Sequence, residues 1–291
     1  MRRHPCDHLL LHLLPALLLV LGLVLAGSGV ARADAPLEDR KAGVADELRR
    51  NPEDPQLWLF QADLHREEGR SDEAIAAYQN AARFGADIDG VDTTIAVILA
   101  EAGMPAASAA TLDRVLTRNP DYRGARLERA RQRAARGEAT QAADDFEHAL
   151  AGAGPVRPGL VLEGMEILVL AGRRADALAL ADGQMEGRGP LVALQMPAIE
   201  IALSLGSTED ALTRIDSLIR TAPTHPGWLQ RRGEILAAAG QEEQASESFR
   251  AALAAVEERK ANRNNRRLAM LEEELRTQLA RETATQGETR K

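Results

Sequence analysis

Glycines recur at positions 69, 103, 137, 172, 206 and 240, at spacings of 34, 34, 35, 34 and 34 residues. Five residues after each stands a small side chain: Ala74, Ser108, Ala142, Ala177, Ala211 and Ala245. Four further on come Tyr78, Leu112, Phe146, Ala181, Ile215 and Phe249, and three beyond those Ala81, Val115, Ala149, Gln184, Leu218 and Ala252. A fixed period of this size confines the chain to a repeat architecture, in which each unit has an apolar face that only its neighbours can cover. The spacing predicts two antiparallel helices per unit. The glycine ends the first helix, where a left-handed residue is cheapest without a Cβ. The small residue opens the buried face of the second helix, and the residues four and seven further on share that face. Pro52, Pro120, Pro155 and Pro223 mark the turn into the next unit.

Composition agrees. The chain is 45% hydrophobic but only 3% aromatic, which argues against a sandwich or barrel core built on aromatic and β-branched residues. Abundant alanine, leucine and glutamate favour helices. Trp58, Ala62, Gly69, Ala74, Tyr78 and Ala81 in the first unit resemble the signature of the tetratricopeptide repeat family. So do Ala130, Gly137, Ala142, Phe146 and Ala149 in the third, and Gly233, Gly240, Ala245, Phe249 and Ala252 in the sixth. The resemblance implies an all-α, right-handed α-solenoid of about six helix–turn–helix repeats with capping helices. The repeats span residues 55–88, 89–122, 123–157, 158–191, 192–225 and 226–255. The fourth departs most, with one extra residue and with Gly183 and Gln184 in its second helix. In the fifth, Pro197 should delay or kink the first helix. Either a softer, bent joint around Gly183–Pro197 or merely a longer loop fits these departures.

Both ends of the array read as caps. Residues 34–54 hold a lone helix, Leu37 to Arg50, ending at Asn51-Pro52. Residues 256–281 form a C-terminal helix with an apolar stripe of Leu268, Leu271, Leu275 and Leu279 and a polar outer face. The cluster Arg259, Lys260, Arg263, Arg266 and Arg267 reads as a solvated helix junction balanced by glutamates, rather than as a contact for an anionic surface. Residues 282–291 are expected to be disordered.

Ahead of the array, Arg2 and Arg3 precede a stretch from Leu9 to Leu25 that is apolar apart from His12. Gly27, Ser28 and Gly29 follow, then Ala31-Arg32-Ala33 with small residues at the −3 and −1 positions of a cleavage site. That order is a secretory signal over residues 1–33, favoured over an uncleaved membrane anchor. Ser28 stands where a lipoprotein signal needs cysteine. Cleavage after Ala33 removes the one cysteine, Cys6, together with His4, His8 and His12, so disulfides and thiolate metal sites are excluded from the mature chain. The expected location is periplasmic or secreted, with no stable membrane span after cleavage.

The sequence offers no chemistry. It has no phosphate loop, no dinucleotide fingerprint and no Gly-x-Ser-x-Gly elbow. His65 suits a half-buried structural site, and His225 an exposed turn between repeats. Asp144 and His148, four apart on a helix, are two ligands without a third. We therefore expect no catalytic residue, no metal and no cofactor. A net charge of −8 also disfavours nucleic acid as a partner.

In the family it resembles, the first helices line a concave, peptide-binding face. The lysine and asparagine carboxylate clamp of some members is missing, because Leu59, Asp63, Thr94, Gly124 and Glu128 stand at those positions. The fifth positions of the units are Leu59, Thr93, Leu127, Leu162, Met196 and Gln230, and the ninth are Asp63, Val97, Arg131, Glu166, Glu200 and Glu234. An aliphatic floor with acidic charge suits a basic or amphipathic segment of another envelope protein. Such a chain is expected to be a non-catalytic scaffold or adaptor of the bacterial cell envelope. The alternative is a periplasmic, chaperone-like holder for an exported client.

Overall fold

The computed structural model describes residues 36–262 and 266–289, and among these the chain is all-α, with fourteen helices and no strand. The expected signal at residues 1–33 and Arg263 of the basic cluster lie outside the described residues. The described residues divide into two compact units, one up to Gln132 and the other from Arg133 onward. In the first, α1 (Leu37–Arg50) packs on α2 (Pro55–Glu67), which forms a hairpin with α3 (Ser71–Arg83). Next come the hairpin of α4 (Ile88–Glu101) with α5 (Pro105–Arg118), and then α6 (Arg123–Ala135), which lies in this unit up to Gln132. The second unit takes the last residues of α6 and then α7 (Ala139–Leu150). Three hairpins follow: α8 (Pro158–Leu170) with α9 (Arg174–Met185), α10 (Val192–Ser204) with α11 (Thr208–Thr221), and α12 (Pro226–Ala238) with α13 (Glu242–Asn262). The last helix, α14 (Arg266–Thr289), packs on α13.

The glycine ruler works as its spacing predicts. All six glycines have φ between 72° and 79°. At Gly69 the main-chain N–H donates to the Arg66 carbonyl at 2.9 Å, and the N–H of Arg70 donates to the His65 carbonyl at 2.9 Å. These bonds satisfy carbonyls that the end of α2 would otherwise leave without a donor. Prolines open α2, α5, α8 and α12, where the missing N–H costs nothing.

His225 differs from its expected exposure. It is half-buried at the N-cap of α12, its Nδ1 accepts the Trp228 N–H at 3.3 Å, and its ring stacks on the Trp228 indole at a centroid distance of 4.2 Å. Burial first, then the nearby charge of Arg259, pushes its pKa below the usual histidine value. The folded state therefore prefers the neutral ring. The stabilisation is complete above the unfolded pKa of about 6.5 and is lost as pH falls through the lower folded pKa. Thermal melts at pH 7 and pH 5 should show a smaller acid-induced drop for His225→Ser, which caps without titrating, than for the natural chain. Equal drops would refute the coupling.

Size complementarity sets the core of the hairpins. Ala62 and Tyr78 are buried in one cluster with Ala74 and Ala77. In the last hairpin Gly233 meets Phe249 so closely that a Cβ there would lie 2.5 Å from the ring's Cε1. Gly164 on α8 is as tightly covered by Phe146 of α7, at 2.4 Å. The fourth repeat inverts the order, with buried Met165 on the first helix and buried Ala181 on the second. Pro197 does not delay α10, which starts at Val192 and continues through it. Six linker residues, 186–191, separate α9 from α10, and Gly187 and Gly189 in this linker are left-handed, with φ of 70° and 81°.

At the N-terminal end Val44 and Leu48 of α1 are buried with Leu57 and Leu64. At the C-terminal end Leu275 is buried against Phe249, Ala252 and Val256, with Leu268, Leu271 and Leu279 packed around it, as the stripe predicted. The helix ends fall elsewhere than expected. With no glycine or proline to stop it, α13 runs beyond residue 255 to Asn262, which places Arg259 and Lys260 in its last turn, where cations favour the helix dipole. Lys260 pairs with Glu272 across the junction. The backbone of α14 stays helical to Thr289, through most of the segment expected to be disordered.

Candidate functional site

In the first unit Leu59 and Asp63 lie on α2, Thr93 and Val97 on α4, and Leu127 and Arg131 on α6. Leu59 is partly spent on the core, packing against the cluster around Ile95 and Tyr78. Asp63 accepts a hydrogen bond from the Tyr78 hydroxyl. Burial, then this bond, raises the tyrosine's pKa, so the hydroxyl stays a donor. Thr93 turns its hydroxyl back to the Asp89 carbonyl at 2.7 Å, and Thr94 does the same to Gly90 at 3.0 Å. Arg131 stands near Glu128, at 3.6 Å. Arg66 of α2 reaches Glu101 of α4 at 3.0 Å, a pair that ties one first helix to the next.

In the second unit Leu162 and Glu166 lie on α8, Met196 and Glu200 on α10, and Gln230 and Glu234 on α12. Leu162, Met196 and Gln230 are half-buried, Glu166 and Glu200 are exposed, and Glu234 is intermediate. Met196 packs on the cluster of Ile199, Ile215 and Ile235. One residue that the ninth-position reading missed joins two of the acids. Arg231 reaches Glu200 at 2.6 Å and Glu234 at 2.9 Å. Burial opposes the charge of this guanidinium, and Glu234 and Glu200 more than reverse the effect, so its pKa is raised. The three acids of this unit thus carry one arginine among them and remain net negative. The signal was available in sequence, since Arg231 follows Glu200 by 31 residues, close to one repeat period.

Asp144 pairs with Arg173 at 3.3 Å rather than with His148. Among the described residues no group of three or more histidine, cysteine, aspartate or glutamate side chains could hold a metal ion. No helix among them is long and apolar enough to cross a membrane.

Stacked helical hairpins, with half-buried aliphatics and charged residues on their first helices, define a repeat protein of the interaction-scaffold class. The chain belongs to the tetratricopeptide repeat family, whose sequence profile matches residues 44–89, 93–158 and 198–260, more than half of the chain. The unmatched stretch between 158 and 198 is the repeat with the inverted core pair and the long linker. No curated protein matches this sequence. Among solved structures, the C-terminal part of a tetratricopeptide repeat protein from Cytophaga hutchinsonii is 12% identical. The match covers 81% of this chain and 94% of that one, with a TM-score of 0.58. PilW, a type IV pilus biogenesis factor, is 22% identical over 64% of this chain and 86% of its own, with a TM-score of 0.48. PilF of Pseudomonas aeruginosa is 18% identical over 72% and 91%, with a TM-score of 0.48. The tetratricopeptide fold is in general a non-catalytic scaffold for protein–protein interaction.

Proposed function

We propose that this chain is an adaptor of the bacterial cell envelope that holds a basic or amphipathic segment of another exported protein on its first helices. The observation that carries the reading is the second unit's row of Glu166, Glu200 and Glu234 beside Leu162 and Met196, with Arg231 as the cation bound among the acids. Apolar contact would supply affinity, and the acids would set encounter rate and register. The signal-like order of residues 1–33 supports export, with a periplasmic or secreted mature chain.

The test is capture from a cell-envelope extract with the full chain as bait. The triple variant Glu166→Lys, Glu200→Gln, Glu234→Gln should lose most of the partner retained by the natural chain, while its circular dichroism stays helical. An unchanged set of captured proteins would overturn the groove reading. The mass of the bait recovered from the envelope should correspond to a chain starting at Asp34. A retained leader would overturn cleavage after Ala33.

A further inference from the structure

Within the second unit, the end of α9, the 186–191 linker, the start of α10 and α11 enclose an open cavity of about 450 Å³, lined by Asp182, Glu186, Pro190, Gln195 and Ser217 among others. None of the fifth- or ninth-position residues lines it, so it is a site apart from the first-helix groove. Its polar wall consists almost entirely of acceptors. Gln195 is only 8% exposed, and its Oε1 is buried with no hydrogen-bond partner among the described residues. Its amide nitrogen makes only a long contact to Ser217 Oγ, at 3.4 Å, while the Ser217 hydroxyl is donated to the Arg214 carbonyl at 2.7 Å. Asp182 and Glu186 add carboxylates, and the cavity opens at the C-terminal, negative end of α9. Arg214 is shared by Asp182 and Asp210, and with Glu186 these three carboxylates outnumber Arg214 and the linker's exposed Arg188 by one.

A buried carbonyl oxygen without a donor is unfavourable, and a site that retains one is incomplete without a donor-bearing group. We infer that this cavity receives the guanidinium of an arginine side chain presented by a partner peptide. A guanidinium carries five N–H donors and no acceptor, so one planar group can face the Glu186 carboxylate and, once the Gln195 amide turns its buried Oε1 toward the cavity, satisfy that oxygen as well. It is also more weakly hydrated than an ammonium and loses less on entering a partly enclosed site. A metal ion suits this wall poorly, because only two carboxylates line it and one already binds Arg214.

The test is a titration of the isotopically labelled full-length mature chain, followed by amide chemical shifts. The probes are N-acetyl-arginine methylamide, its uncharged citrulline counterpart and free arginine. The blocked arginine should give saturable shifts at Gly183, Gly189 and Gln195, and the citrulline probe none. Free arginine, whose own carboxylate would face Glu186, should bind more weakly. Gln195→Met should raise the dissociation constant about tenfold or more, as expected for one lost hydrogen bond to a charged group. The same variant should melt at the same or a higher temperature, because it removes a buried amide oxygen that has no donor. Absence of saturation, an equal response to citrulline, or an unchanged constant in Gln195→Met would overturn the site. A lower melting temperature for Gln195→Met would make the amide structural and overturn it too. Tighter binding of free arginine would overturn the peptide source. The triple glutamate variant of the groove should leave this titration unchanged, so the two readings fail separately.

Discussion

Phe249→Ala should lower the stability of the second unit by about 3–5 kcal/mol, the range for deleting a buried aromatic ring. Phe249 is 2% exposed and sits where three helices meet: Gly233 of α12 lies against its ring, and Leu275 of α14 shares its cluster. Removing the ring opens a cavity that helices packed against neighbours on both sides can close only in part. In a stacked array the loss falls on nearest-neighbour interfaces, so hydrogen exchange should accelerate first in α12 to α14. Gly233→Ala is the informative partner. In the natural chain its Cβ would meet Phe249 Cε1 at 2.5 Å, and such overpacking costs about 1–3 kcal/mol, more than the roughly 1 kcal/mol that alanine gains in helix propensity. Once Phe249 is alanine, the clash is gone and Gly233→Ala should become stabilising. Urea denaturation of the four proteins would show this change of sign, and an additive cycle would refute the claim that the glycine exists to admit the ring.

The repeat was legible because it rests on local rules applied at a fixed interval. A left-handed glycine, a proline at a helix start and a small residue opposite a large one each leave a mark in one position. That is why α1, with its end at Asn51, and the leucine stripe of α14 could be read directly. The fourth repeat was harder, because Met165 and Ala181 exchange the usual order of small and large and the glycine marker alone keeps the register. The end of α13 was misplaced because nothing stops a helix between Glu242 and Asn262. His225 was misjudged because an exposed turn and an N-cap read alike until the ring stacks on Trp228. The candidate groove was legible as positions and illegible as electrostatics. Charge on such a surface is decided in part by pairs that join neighbouring repeats, and only three of the cations are lysine. Arg66–Glu101, Arg173–Glu147, Arg214–Asp182 and Arg231–Glu200 each link neighbouring repeats within one unit. A guanidinium can bind carboxylates on two helices at once, which an ammonium does less well.

Replacing Arg214 should reveal how much these links contribute. Its side chain is 8% exposed, and two of its nitrogens reach the Asp182 carboxylate of α9, at 2.7 and 2.8 Å. A third, Nε, reaches Asp210 on its own helix, at 3.1 Å. The bond to Asp182 holds the guanidinium's pKa above its usual value, against the opposing effect of burial. Arg214→Met keeps the apolar stem but leaves Asp182 and Asp210 close together without their shared cation. A fully buried pair broken on one side loses about 3–5 kcal/mol, and Asp182, at 52% exposed, is partly resolvated. The expected loss is therefore nearer 2 kcal/mol. Arg214→Lys should lose about half as much, because one ammonium cannot span both carboxylates in the same geometry. If the link acts between repeats, Arg214→Met should cost much less in an Asp182→Asn background, where no uncompensated charge remains on α9. A loss of the same size in both backgrounds would assign the arginine's contribution to the packing of its stem and not to the bond between helices.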